Sequence, residues 1–463
     1  MKQNQAFIEI QAHLNKILKN NPKTKERFIS LKGPAGTGKT YLVSKLVEVL
    51  KSEYRITITA PTHKAIRVLR ENLLELQSST VSIKTIHSFL NLKVQKDFAK
   101  GTQEFVSESY NKDYSKTDIL IVDESSMVSN ELYDYIYRET KAGRVKAVLF
   151  VGDEYQLLPV DSKETKLSSI ETQYALTHIV RQAKGSYIIH MATKAREIIE
   201  NQSYISLEEF FDDDSFKHEI AFFKNKEAFY DDFCTPQSWM KKDKVIAGFT
   251  NSSVDGHNRI IRRRYWKEQD KQEIATLMQG DKVIFQQANI IDNKVVHQNS
   301  DIVTLSSATK TYLKELDIYF WACTDLANKP FKVIDPQSQA KFDETIQNIA
   351  KKAKYSTDKA QKRQLWKVFF SLKETFINVK YTYSSTIHKL QGSTYKSVYI
   401  DLNDMCMIED KDLMFRLLYV ALTRASEQVK VLWHQENYEN LAERQEHTIG
   451  DISKTLAQLE LSL

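Results

Sequence analysis

The residues with the plainest chemistry form an octet, Gly33-Pro34-Ala35-Gly36-Thr37-Gly38-Lys39-Thr40, set between an apolar run (FISLK) and a helix-forming one (YLVSKLVEVL). Glycines let the backbone wrap a polyphosphate, amides and the helix N-terminus face the anion, Lys39 reaches the outer phosphates, and Thr40 offers a hydroxyl to Mg²⁺. A structural Gly-rich turn leaves the Lys-Thr ending unexplained. An acidic pair, Asp123 and Glu124, ends the apolar run DILIV. Asp123 suits holding Mg²⁺ through water, and Glu124 suits polarising the attacking water. Alone, such a pair is more often a solvated loop; beside a phosphate loop it reads as a hydrolytic site. A further run, AVLFVGDEYQLLPV, carries Gln156 to the same carboxyl edge, where an amide can sense a terminal phosphate. Asp153 reads equally well as a turn residue. The reaction these groups suit is ATP hydrolysis.

Positioning them requires parallel strands that end at one edge. Short apolar runs at Phe28 to Leu31, Ile56 to Ala60, Ile119 to Val122 and Ala147 to Val151 alternate with helical stretches, which is a parallel α/β pattern. A helix over Gln3 to Leu18 opens the chain, with Phe7, Ile10, Leu14, Ile17 and Leu18 on one face. A second α/β set follows at Val245 to Phe249, Ser397 to Asp401 and Val429 to Trp433. Between them, 277–376 breaks the pattern: DKVIFQQ and SDIVTLSS read as short strands, and 341–376 as long helices with aromatic flanks.

The 463 residues suggest about three or four packed units by the usual domain size. Lys and Arg number 66 against 60 Asp and Glu, a net +6 that permits nucleic-acid binding without requiring it. Cys234, Cys323 and Cys406 lie far apart, so neither a zinc site nor a disulfide framework is expected. No stretch approaches the roughly 18 apolar residues of a membrane span, and a bacterial or phage-infected host cytosol is the expected setting.

The motifs together, GPAGTGKT, APTHKA at Ala60 to Ala65, TIHSFL at Thr85 to Leu90, DESS at Asp123 to Ser126 and GDEYQLLPV at Gly152 to Val160, resemble superfamily 1 helicases. The resemblance is to the 5′-to-3′ branch, superfamily 1B, that contains RecD-like enzymes and the phage Dda helicase. It continues through Arg181 in LTHIVRQ, Phe249-Thr250-Asn251, SSTIHKLQGST at Ser384 to Thr394, and YVALTRA at Tyr419 to Ala425. Length and a single insertion are most like the Dda group. The resemblance implies an α/β fold of two RecA-like parallel-sheet lobes, with a β-hairpin insertion in the first and an SH3-like plus helical insertion in the second. The implied boundaries are 1–92 and 116–177 for the ATP-site lobe, 93–115 for the hairpin, 178–276 and 377–463 for the second lobe, and 277–376 for its insertion.

By the same resemblance, Gln3 contacts adenine, and Arg181 and Arg424 reach the γ-phosphate from the second lobe. Gly392 lies beside the nucleotide. DNA contacts fall on Pro61, Thr62, His63, Thr85, His87, Asn251, Thr386 and His388. Hydroxyls, amides and histidines suit phosphates and sugars without reading bases. The polar stretch between His87 and Asp123 corresponds to a strand-separating hairpin, with Phe105 expected at its tip and Phe98 as the competitor. The implied activity is 5′-to-3′ translocation on single-stranded DNA and unwinding of forked duplex, driven by ATP with Mg²⁺, by a monomer. A single-strand binding protein or replication and recombination proteins are the expected partners. A DNA-stimulated ATPase that remodels or loads a protein is the alternative from another class.

Overall fold

Hydrophobic runs flanked by amphipathic helices can bury both faces only as parallel sheets, and two such sheets form. The structure is a computed structural model. It describes all residues except 77, 101, 108–116, 160–164, 179–185, 212–218, 236–242, 269–272, 293 and 434–463, with 93–96 and 103–107 described by backbone alone.

The first sheet has six strands in the order Val81–Thr85, Ile56–Ala60, Thr117–Val122, Val145–Gly152, Phe28–Lys32 and Thr172–Ala175, all parallel. The opening helix, Gln3–Asn20, lays Ala6, Ile10, Leu14 and Ile17 onto one face of it. Helix Lys39–Leu50 adds Leu42, Val43, Leu46 and Val47 to the same core. The second sheet has five parallel strands in the order Ser384–Thr386, Lys244–Gly248, Tyr395–Asp401, Ala425–Leu432 and Ile220–Phe223. Helices Tyr187–Asn201 and Lys411–Arg424 pack together in its core. Two parallel α/β lobes, as the strand pattern indicates, thus carry the motifs.

A separate antiparallel sheet joins Pro330–Ile334, Ile318–Asp325, Ile302–Leu313, Lys282–Phe285 and Val379–Tyr381. It leaves and re-enters the second lobe through adjacent strands, since Val379–Tyr381 pairs with Lys282–Phe285 and is followed by Ser384–Thr386. Asp281 at its base is fully buried and takes both Arg262 Nε and Nη2, at 2.9 and 2.8 Å, with Trp266 Nε1 at 2.9 Å. From its other end extends a helical pair, Pro336–Tyr355 and Lys359–Thr375.

Strands Leu92–Asp97 and Thr102–Ser107 form the hairpin of the first lobe, with Asp97 opposite Thr102 and Val94 opposite Phe105. Asp97 Oδ1 accepts from the Ala99 and Lys100 amides at 2.8 and 3.1 Å, and so closes the turn directly after itself. This corrects the expected position of Phe105. The turn carries Phe98, while Phe105 lies back along the second strand. The Phe98 ring meets Phe370 edge-on at 5.8 Å, in a cluster with Ala353 and Trp366 of the helical pair.

Candidate nucleotide and nucleic-acid site

Parallel strands present their carboxyl ends at one edge, so the segments that follow them converge. After Phe28–Lys32 comes the phosphate loop, after Thr117–Val122 comes Asp123, and after Val145–Gly152 comes Asp153. Gly36 and Gly38 adopt φ of 81° and 78°, which a side chain rarely tolerates. At Gly38 a Cβ would also fall 1.9 Å from Gln3 Nε2. Gln3 reaches over from the opening helix and donates to the Thr37 carbonyl at 2.7 Å, so it shapes the loop as well as lining the cleft. Lys39 Nζ donates to the Gly33 and Pro34 carbonyls at 2.5 and 2.9 Å, the inner surface of the loop.

Asp123 and Glu124 face this loop. Burial, and next the Glu124 charge, push the Asp123 carboxyl well above the ordinary carboxylate range. Glu124 has a left-handed backbone, φ 50° and ψ 43°, rare for a residue with a side chain and typical of positions held for function. Its amide donates to Asp123 Oδ1 at 2.9 Å. Thr40 and Asp123 line the same cleft and are hard oxygen donors of the kind Mg²⁺ takes. A cation there would offset both the burial and the Glu124 repulsion that raise Asp123. Two protein donors suffice, because Mg²⁺ keeps waters and substrate phosphate oxygens as its other ligands.

The cleft is closed by the second lobe. Gly392, Thr394 and Arg424 line it opposite Gln3, Lys39, Thr40, Asp123, Glu124 and Gln156 of the first lobe, around a volume of about 700 Å³. A Cβ on Gly392, at φ 73°, would lie 3.7 Å from Glu124 Oε1. Arg424 is buried, its guanidinium donating to the Val420 and Ser393 carbonyls at 3.2 and 3.1 Å. Lys64 lies close by: burial, and next the Arg424 charge, push its ammonium down to about 8. Arg181 lies outside the described residues.

The expected DNA contacts fall into one group on each lobe. In the first, Ala60 and Thr85 are register partners at the ends of adjacent strands, so Pro61-Thr62-His63 and Thr85-Ile86-His87 emerge side by side. Thr62 and Thr85 cap their helices by accepting from the Ala65 and Ser88 amides, at 3.2 and 3.1 Å. In the second, Gly248 and Thr386 are partners, which brings Phe249 to Asn251 beside Thr386 to His388. The His388 ring lies 6.3 Å from that of Phe249. Asn251 accepts from Lys380 Nζ at 3.3 Å. Burial is the first cause that lowers His63, His87 and His388, keeping them neutral near pH 7.

Comparison with known proteins agrees with this geometry. Residues 13–204 match a family model described as an AAA domain, and residues 381–432 match the UvrD-like helicase C-terminal domain. The ATP-dependent DNA helicase dda of Enterobacteria phage T4 is 27% identical over 447 residues, 87% of this chain and 93% of that protein. Over most of its length the chain is thus similar to a superfamily 1B DNA helicase. An uncharacterised protein of Acanthamoeba polyphaga mimivirus is 25% identical over 90% of this chain and 98% of its own length. Among solved structures, the Pif1 helicase from Bacteroides in complex with ADP-AlF3 and ssDNA matches at 17% identity and a TM-score of 0.44. That match covers 90% of this chain and 91% of that one.

Sequence reasoning passed over several residues of this site. Asp153, left open as a turn residue, is 2% exposed and accepts from the Tyr155 amide at 3.1 Å and Gln156 Nε2 at 3.4 Å. Tyr419 and Arg416, on helix Lys411–Arg424, grip the same loop from the second lobe. Tyr419 Oη donates to Asp153 Oδ2 at 2.6 Å, and Arg416 Nη1 donates to the Glu154 and Gln156 carbonyls at 2.7 and 3.1 Å. Positions 412, 416, 419 and 423 share one helix face, a spacing that could have marked the stripe.

Proposed function

We propose that the chain is an ATP-dependent DNA helicase that moves 5′-to-3′ along single-stranded DNA and opens duplex ahead of it. The observation that carries this reading is one cleft lined by the phosphate loop, Asp123 and Glu124 of one lobe and by Arg424 of the other. Hydrolysis in such a cleft depends on closure, because the second lobe supplies the charge that stabilises the transferring phosphoryl group. In this reading Lys39 holds the outer phosphates, Gln3 borders the adenine, Glu124 orients the attacking water, and Gln156 senses the γ-phosphate. Arg424, with Arg181, bridges the lobes at the γ-phosphate. Thr40 and Asp123 would hold Mg²⁺, which when bound would supply charge neutralisation for the phosphates.

DNA runs over both lobes, on Pro61 to His63 and Thr85 to His87 of the first and on Asn251, Thr386 and His388 of the second. Two contact points whose separation follows the nucleotide state are what stepping needs. Residues 1–92 and 116–177 make the ATP-site lobe, 93–115 the separating hairpin, 178–276 and 377–463 the second lobe, and 277–376 its insertion, with Phe98 in place of Phe105 at the hairpin tip. The chain acts as a monomer.

The direct test is ATPase activity with and without single-stranded DNA. The unsubstituted chain should be stimulated by DNA, and Lys39→Ala should lose that activity by orders of magnitude while keeping its unfolding midpoint. Near-normal turnover in the variant would remove the phosphate-loop assignment.

A further inference from the structure

The third residue of the phosphate loop is held from the opposite lobe. The Ala35 amide donates to Tyr419 Oη at 3.0 Å, and the same hydroxyl donates to Asp153 Oδ2 at 2.6 Å. Tyr419 is 2% exposed, and burial, then the Asp153 charge, hold its hydroxyl far above the ordinary tyrosine range. Its hydroxyl proton is directed at Asp153 Oδ2. Asp153 in turn accepts from Gln156 Nε2 at 3.4 Å, and Gln156 Oε1 accepts from Gln391 Nε2 at 3.1 Å. Gln391 directly follows the segment Thr386 to Leu390. An unbroken series of hydrogen bonds therefore runs from a phosphate-loop amide, through Tyr419, Asp153, Gln156 and Gln391, to the segment that carries His388.

We propose that Tyr419 is a positioning residue that couples occupancy of the phosphate loop to the DNA-contacting segment of the second lobe. Packing alone does not require a hydroxyl at this place. The Tyr419 ring lies edge-on to Tyr155 at 6.4 Å, a contact that phenylalanine would preserve. Arg416, one turn earlier on the same helix, holds the Glu154 and Gln156 carbonyls independently, so the lobes remain joined when the hydroxyl is removed. What the hydroxyl adds is a link between Ala35 and Asp153. A phosphate that draws on the loop amides competes for the Ala35 N–H, frees one side of Tyr419, and alters how Asp153 and Gln156 are held. By linkage, DNA on the second lobe must bias the loop by the same factor.

The inference rests on the nucleotide and DNA reading above, and one set of measurements separates the two. The dissociation constant of a fluorescent single-stranded oligonucleotide is measured with and without ADP plus aluminium fluoride, for the full chain and for Tyr419→Phe. The unsubstituted chain should show a ratio of about fivefold or more, within the usual span of coupling between sites. In Tyr419→Phe the ratio should fall to within about twofold of one, with nucleotide-free DNA affinity and unfolding midpoint retained, as for sites without shared contacts. If the full chain binds no nucleotide, the proposed function fails and takes the inference with it. If the full chain shows the ratio and Tyr419→Phe keeps it, Tyr419 is packing only and the inference is overturned. Should Tyr419→Phe not fold, Asp153→Asn, which preserves shape and removes the charged acceptor, must lower the ratio; an unchanged ratio there overturns the inference equally.

Discussion

In the proposed mechanism Glu124 concentrates the chemistry into one side chain. Its backbone is left-handed, and its carboxylate lies beside Gly392 of the other lobe. Holding a non-glycine residue there costs on the order of 1–3 kcal/mol, which the surrounding sheet must over-determine. Gln at this position keeps shape and hydrogen-bonding capacity but cannot accept a proton from water. Glu124→Gln should therefore bind ATP with little change while DNA-stimulated turnover falls by about 10²–10⁴-fold, the usual contribution of a general base. Equilibrium binding of a fluorescent nucleotide beside steady-state ATPase checks both halves. Unchanged turnover would move the water-orienting role to another group. The phosphate loop and the acidic pair were legible because few other arrangements use Gly-Lys-Thr after a strand. Tyr419 and Asp153 were not, since a buried tyrosine and a turn aspartate look alike in sequence whether or not they meet.

Among elements, the runs Ile119 to Val122 and Ala147 to Val151, within strands Thr117–Val122 and Val145–Gly152, announced themselves through continuous apolar character. The strands missed in the two parallel sheets, Val81–Thr85, Thr172–Ala175, Ile220–Phe223 and Ser384–Thr386, sit at sheet edges, where pairing with a neighbour rather than composition decides the conformation. The hairpin shows the same limit. Its polar sequence gave no register, and the deciding feature was the Asp97 side chain capturing two amides. Phe98 in that turn is braced against Phe370 and Trp366, so the hairpin tip is tied to the helical pair of the insertion. An aromatic tip can replace part of the stacking lost at a fork, worth about 1–3 kcal/mol per base. Phe98→Ala should cut duplex unwinding severely and leave ATPase on single-stranded DNA within about twofold, because the tip and the ATP cleft share no contacts. Parallel loss of both activities would make Phe98 a structural residue, and a larger unwinding defect in Phe105→Ala would return the tip role to Phe105.

For the whole molecule, the central claim is that two lobes closing on ATP produce directed movement and strand separation, rather than a nucleotide-gated remodelling of another protein. Both readings share the cleft, the acidic pair and Arg424, so nucleotide assays alone do not divide them. Among the described residues, no helix is long and apolar enough to cross a membrane, and the basic excess of +6 is modest; neither favours one reading. What divides them is work done on a duplex. The measurement is strand separation of matched duplexes bearing either a 5′ or a 3′ single-stranded tail, with ATP and Mg²⁺. Opening from the 5′ tail alone is the expected result. Equal opening from a 3′ tail would contradict the direction of movement, and DNA-stimulated ATPase with no opening of either substrate would contradict the helicase itself.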